Sequence, residues 1–159
     1  MKVRKNTMKW KIKTFNELTT TELYEILRIR AEVFVVEQSC VYQDLDLKDK
    51  KAYHLFLEDN DEVVAYLRIL EKDVSYPEIS IGRVLVKEEY RGRGLARKLM
   101  QKAVSFIEEV LREKEIRISA QKYLLKFYKS LGFTVVSEVY LEDGIEHVEM
   151  LYSVDKKLL

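Results

Sequence analysis

The sequence predicts an α+β domain, a mixed and mostly antiparallel central sheet flanked by helices. Three observations carry that prediction. Two hairpin signals, "DND" at 59–61 and "EDG" at 142–144, each join β-rich runs, so most strand pairs should be antiparallel. Two segments, starting near residues 19 and 95, abandon two-residue alternation for apolar residues every three or four positions. The order of elements, a meander of strands followed by strands separated by helices, calls for a sheet with one helix group on each side.

The elements follow in chain order. Residues 8–15, "MKWKIKTF", alternate Trp10 and Ile12 with lysines, as a half-exposed strand does. Between 19 and 38, Leu23, Ile26, Leu27, Arg30, Val33 and Phe34 recur at helical spacing, and Thr19 with Glu22 makes a capping box at the start. Residues 39–51 mix charges without a period and read as loop, with a short helix around 44–50. Strands at 52–58 and 62–72 flank the first hairpin. "EISIGRVLVK" (78–87) is the next strand, and Gly82 interrupts its alternation as a bulge would. From Leu95 a stripe of Leu95, Leu99, Ala103, Phe106 and Val110, widened by Met100 and Ile107, predicts a long helix. A strand at 115–121, a short helix at 122–130 stopped by Gly132, and strands at 133–140 and 145–154 complete the set.

A length of 159 residues suits one domain, taken as 8–159 behind an extension of residues 1–7. The 28 lysines and arginines are balanced by 27 acidic residues, so the domain lacks the basic excess of a dedicated nucleic-acid binder. No apolar run is long enough to span a bilayer, and "MKVRKNTMKW" lacks the apolar stretch of a signal peptide. Cys40 is the single cysteine, which excludes an internal disulfide and suits a reducing compartment. A cytoplasmic protein without nucleic-acid or membrane partners is the expectation. No metal-ligand spacing occurs, and no Cys–His pairing supports Cys40 as a nucleophile.

One stretch resists a purely structural account. "EEYRGRGLARKLM" (88–100) opens the long helix with Gly92 and Gly94 and surrounds them with Arg91, Arg93 and Arg97. Glycine is a poor helix former, and cations at a helix N-terminus oppose its dipole. Unpaired amides at such a terminus bind anions, and glycines let the ligand approach the backbone. A solvated basic turn with a glycine cap is the plainer reading of the same residues. A nucleotide-binding Walker loop is excluded because Leu95 and Ala96, not Lys and Ser/Thr, follow Gly94, and a dinucleotide fingerprint is excluded because Arg97 stands where the third glycine belongs.

The stretch Arg91-Gly92-Arg93-Gly94-Leu95-Ala96 resembles the pyrophosphate loop of the GNAT superfamily of N-acetyltransferases, in its required place after the fourth strand. "FYKSLGF" (127–133) resembles that superfamily's second hallmark, a helix ending in Tyr before Leu-Gly-Phe. "RAEVFVVEQSCVYQDLDLKD" (30–49), "AYLRIL" (65–70), "IGRVLV" (81–86), "AQKYLLKFYKSLGF" (120–133) and "EVYLEDGIEHVEM" (138–150) are similar to its ElaA-type branch. Two departures stand out: Val41 and Leu47 occupy places where that branch has proline and glycine.

The resemblance implies the GNAT fold, acetyl-CoA as cosubstrate, and direct transfer to an amine of a small molecule or peptide. It implies that the amides of residues 91–96 hold the diphosphate, that Val84, Leu85 and Val86 run beside the pantetheine arm, and that Gln121 adds a cofactor contact. A backbone N–H from 84–86 would stabilise the oxyanion, and Tyr128 would be the general acid. A bulge near Gly82 would part that strand from its neighbour. Glu37, Gln38 and His54 on one side, with Tyr140 and His147 on the other, are candidates to face the acceptor; Glu37, Asp44, Asp46, His54, Tyr140 and His147 are the candidate bases, with a water chain as the alternative. For both histidines the structural hydrogen-bonding role stands beside the functional one. A homodimer is compatible with this reading. The competing function is a CoA-binding sensor or partner module without catalysis, which would have no use for an acid at Tyr128.

Overall fold

In the computed structural model, which describes residues 7–155, eight strands form one sheet and three α-helices pack on its two faces. The predicted extension therefore lies outside the described residues except for Thr7, as do residues 156–159. Strands β1 (Met8–Thr14), β2 (Ala52–Asp59), β3 (Glu62–Leu70) and β4 (Ile79–Val86) make an antiparallel meander. β5 (Glu115–Gln121) joins β4 in the one parallel pairing among the described strands, and β8 (Ile145–Ser153) pairs antiparallel with β5. β6 (Thr134–Val135) and β7 (Tyr140–Glu142) both pair with β8. The expected α+β architecture with a mostly antiparallel sheet is what the chain adopts.

One face is covered by α2 (Leu95–Glu109) and α3 (Leu125–Ser130), the other by α1 (Thr20–Arg30). Helix α2 buries Leu95, Leu99, Met100, Ala103 and Ile107 against Leu55, Leu57, Leu67, Ile69, Ile79 and Ile116. Each of these leucine, isoleucine and methionine side chains contributes about 1.5–3 kcal/mol relative to exposure. Val110, placed on that stripe by the sequence, is 63% exposed at the helix C-cap, because the burial line steps from Ala103 to Ile107 and leaves the sheet there.

Helix α1 starts as its capping box dictates. The Glu22 N–H donates to Thr19 Oγ1 at 3.1 Å, and the Thr19 N–H donates to Glu22 Oε1 at 2.8 Å. The helix does not run unbroken to residue 38. From Ala31 to Glu37 the chain widens into a π-helix, which turns Val33 into the core and Glu37 outward.

Three other boundaries shift. The short helix in the 39–51 loop is a single turn at Lys48–Lys51. The strand expected over 133–140 is broken into β6 and β7. Between them Ser137 Oγ accepts from the Glu149 N–H, so a side chain replaces the ladder there. The bulge of β4 falls one residue after Gly82: Arg68 pairs with Gly82 and Tyr66 with Leu85, which sets Arg83 and Val84 opposite one residue. Arg83 carries the strain, at φ 53°, while Gly82 does not enter the left-handed region.

Candidate functional site

The bulge has a consequence for the middle of the sheet. β4 and β5 pair only at Ile79↔Ile116 and Ser80↔Arg117. Beyond these residues β4 stays paired with β3 up to Val86, and β5 with β8 up to Gln121. The two strands therefore part, and a slot opens between them. A Cβ added at Gly82, on its rim, would meet nothing within 4 Å.

At the end of β4 the chain turns through Gly92 (φ 78°) and Gly94 (φ 75°) into α2. Arg91 N–H donates to Glu88 O at 3.2 Å and Lys98 N–H to Gly94 O at 3.2 Å. Between them, the backbone N–H groups from Gly92 to Arg97 have no acceptor among the described residues. These consecutive donors sit at the positive end of a fifteen-residue helix, the geometry of an anion site.

The loop's arginines are anchored sideways. Arg91 Nε donates to Val86 O at 2.9 Å, and its guanidinium pairs with Glu37 at 2.8 Å. Arg93 lies 5.0 Å over the Tyr90 ring and donates to Glu89 O. Arg97 donates to Ser130 Oγ at 2.8 Å and lies 5.6 Å over Phe127, which ties α2 to α3.

Val84 and Val86 pack toward α2, while Leu85 is buried under α1 with Tyr66 and Phe56. The side chains of this segment are thus core, and what it offers to the slot is backbone. Tyr128, near the end of α3, is packed between Phe127 and Phe133. Burial pushes its phenol well above the ordinary value, with Tyr123 adding to the effect, so it stays protonated at neutral pH. Its hydroxyl has no hydrogen-bond partner among the described residues. Gln121 ends β5 opposite His147.

The remaining predicted residues separate into three groups. His54 is fully buried, with Nε2–H donating to Asp49 O (2.9 Å) and Nδ1 accepting from Tyr66 O–H (2.7 Å). Burial lowers its pKa, and both nitrogens are committed to the interior. Glu37 is tied to the glycine turn through Arg91, and Gln38 caps the π-helix beside it. Tyr140 and His147 stack on one another (6.0 Å, 21°) across the β7–β8 hairpin.

Sequence reasoning missed how the 39–51 loop is held. Asp44, Asp46 and Asp49 meet Arg30, Arg68 and Arg83 in one network. Arg30 bonds Asp49 (2.7 Å) and Asp44 (3.0 Å), Arg68 bonds Asp46 (2.5 Å) and Asp49 (3.0 Å), and Arg83 bonds Asp44 (2.7 Å). Burial pushes the Asp49 carboxyl up, but the hydrogen bonds from Arg30 outweigh it and hold the group below its usual range; Arg68 does the same for Asp46. These carboxylates are occupied as counterions. Leu47, between them, sits at φ 69°, so the residue standing in for the branch's glycine adopts the backbone a glycine would take. Cys40 Sγ–H, at the loop's other end, donates to Asp143 O at 3.5 Å and joins the loop to the β7–β8 turn.

The family model of the acetyltransferase (GNAT) domain matches residues 17–154. The chain belongs to the GNAT acetyltransferase family. Within it, the protein ElaA of Escherichia coli is 41% identical over 145 residues, covering 90% of this chain and 95% of ElaA. A UPF0039 protein of Synechocystis is 42% identical over 149 residues, covering 91% and 95%. Among solved structures, an acyl-CoA N-acyltransferase of Pseudomonas aeruginosa superposes with a TM-score of 0.88 at 38% identity, covering 92% of this chain and 99% of that one. The crystal structure of E. coli ElaA gives 0.84 at 39%, covering 91% and 99%. This GNAT member is thus similar to the ElaA-type branch along most of its length, and the family and its neighbours make it an acyltransferase that uses an acyl-CoA. No helix among the described residues is long and apolar enough to cross a membrane.

Proposed function

We propose that this GNAT member transfers acetyl from acetyl-CoA directly to an amine of a small molecule or peptide. The observation that carries the reading is the unbroken row of unpaired amides from Gly92 to Arg97 beside the slot between β4 and β5. That row would take the diphosphate of CoA, with Arg93 and Arg97 adding charge at its rim and Arg91 bracing the loop against Glu37. The pantetheine arm would lie along Val84–Val86, pairing with backbone as an added strand does. An N–H of that segment would donate to the oxygen of the thioester as charge develops on it, a contribution of about 3–4 kcal/mol. Gln121, at the end of β5, would add a further contact.

Tyr128 would protonate the departing thiolate. A thiol ionises near pH 8.5 and a phenol near 10, and burial widens that gap, so proton transfer must accompany bond breaking. An unpartnered hydroxyl on a buried ring favours this role over the non-catalytic CoA-binding alternative, because a packing aromatic needs no hydroxyl.

Calorimetry tests the loop. Gly94→Asp should weaken acetyl-CoA by a hundredfold or more, since a carboxylate would share the diphosphate's place, and unchanged affinity would refute the assignment. Tyr128→Phe should cut kcat by about 10²–10⁴ with cofactor affinity nearly intact; equal turnover would remove the acid.

A further inference from the structure

The acceptor amine enters as an ammonium with a pKa near 10.4 and must lose a proton before it attacks, so a base is needed. Four of the expected bases are occupied: Asp44 and Asp46 pair with arginines, Glu37 with Arg91, and His54 bonds Asp49 O and Tyr66. The far wall of the slot holds the other two, Tyr140 and His147, linked through Ser119 and Glu142. Ser119 lies two residues past the last β4–β5 pair, on the face of β5 opposite its buried Ile118 and Ala120. Its Oγ is hydrogen-bonded to the Tyr140 hydroxyl, and its O–H donates to Glu142 Oε2 at 3.4 Å. Glu142 in turn lies 3.3 Å from His147 Nε2.

The direction of this chain is set by chemistry. His147 Nδ1 lies 2.7 Å from Ile145 O, and a carbonyl can only accept, so Nδ1 carries the hydrogen. A neutral His147 therefore turns a lone pair at Nε2 toward the Glu142 carboxylate. Two acceptors face each other across 3.3 Å, and one added proton converts the contact into a hydrogen-bonded ion pair. At the other end, Ser119 O–H is directed to Glu142, so Tyr140 O–H is the donor to Ser119, which leaves the phenol oxygen free to accept a proton from outside.

This rests on the acyltransferase reading above: we propose that Tyr140, Ser119 and the Glu142–His147 pair form a proton relay that deprotonates the acceptor ammonium. The ammonium N–H passes its proton to Tyr140 Oη as the Tyr140 proton moves to Ser119 Oγ and the Ser119 proton moves to the carboxylate–imidazole pair. The hydroxyls are regenerated, the amine is left neutral, and the single proton rests between Glu142 and His147, at the solvent edge. The charged and titratable groups around the chain are Tyr76, which shares a hydrogen bond with Ser119; Glu149 and Arg117, which lie 3.6 Å apart; Glu78, which holds Arg117 at 2.8 Å; and the Lys122–Glu146 pair. From the 39–51 loop, Cys40 reaches the Asp143 carbonyl next to Glu142.

The test is the pH profile of kcat/KM for Ser119→Ala, followed by thiol release from acetyl-CoA with putrescine, a lysyl tripeptide and a glycyl tripeptide. The full-length wild-type protein should show a profile that is flat well below the amine pKa. The variant should lose about a thousandfold near pH 7, climb about tenfold per pH unit, and approach wild type near pH 10, where bulk water supplies free amine. Tyr140→Phe, which keeps the stacked ring, should show the same slope. Affinity for acetyl-CoA should not change in either. Variant profiles parallel to wild type overturn the relay and leave the proposed function standing; no acetylation of any of the amines by wild type overturns both.

Discussion

The molecule carries two groups of three arginines, and they do opposite things with the same charge. Arg30, Arg68 and Arg83 are answered by three aspartates of one loop, and Arg30 is 0% exposed. Arg91, Arg93 and Arg97 are exposed and held mainly by carbonyls, a hydroxyl and ring faces, with a single carboxylate, Glu37, among them. The first group is a closed account of charge that pins the 39–51 loop to the sheet. The second leaves positive potential over unpaired amides. Counting arginines would not separate them; their partners do.

The comparison breaks most sharply at Asp49, which serves Arg30 and Arg68 together. Asp49→Asn should destabilise by about 3–5 kcal/mol in urea unfolding, because two buried guanidiniums lose their shared counterion. Arg68 Nε already lacks a partner among the described residues, so there is no spare acceptor nearby.

Glu22 extends the contrast to a third ionic site, at the start of α1. Burial pushes its carboxyl up, but hydrogen bonds from Lys13, the Thr19 N–H and Lys11 outweigh that and hold it at about 2, below the ordinary 4.5. A carboxyl held low in the folded state stabilises it above the unfolded pKa and loses that contribution as the pH falls toward 2. Glu22→Gln should therefore cost about 1–3 kcal/mol at pH 7, with the difference shrinking between pH 4.5 and 2 and gone below that; a constant difference would show that packing, not charge, is responsible.

The loop arginines should behave in the opposite way. Arg97→Ala should change stability by less than about 0.5 kcal/mol and weaken acetyl-CoA about three- to tenfold, with the loss fading as salt rises. The smallest effect belongs to Leu47, which the aspartate network holds in a left-handed backbone while 76% of it is exposed. Leu47→Gly should stabilise by about 0.5–1 kcal/mol, measured as a shift of the urea midpoint at constant slope.

Much of this was legible in the chain. Alternation and the two hairpin signals specify the strands, because side chains on a strand must alternate between core and solvent whatever the strand packs against. The capping box at Thr19 and the glycines at 92 and 94 are legible for the same reason: they answer local needs of backbone N–H groups. The π-helical end of α1, the break between β6 and β7, and the displacement of the bulge from Gly82 to Arg83 were not legible, since each depends on a partner distant in sequence. His54 illustrates the limit, because nothing beside it announces Tyr66 or the Asp49 carbonyl.

By itself, then, the sequence determined the class of fold, the order of its strands and helices, and the place of the glycine turn that opens α2, all of which follow from spacing within a few residues. Only the tertiary structure decided which charges are spent and which are free. Arg30 reaches Asp49 across nineteen positions and Arg91 reaches Glu37 across fifty-four. The energy of a charge depends on what lies within a few ångströms in space, and that neighbourhood exists only once the sheet has formed.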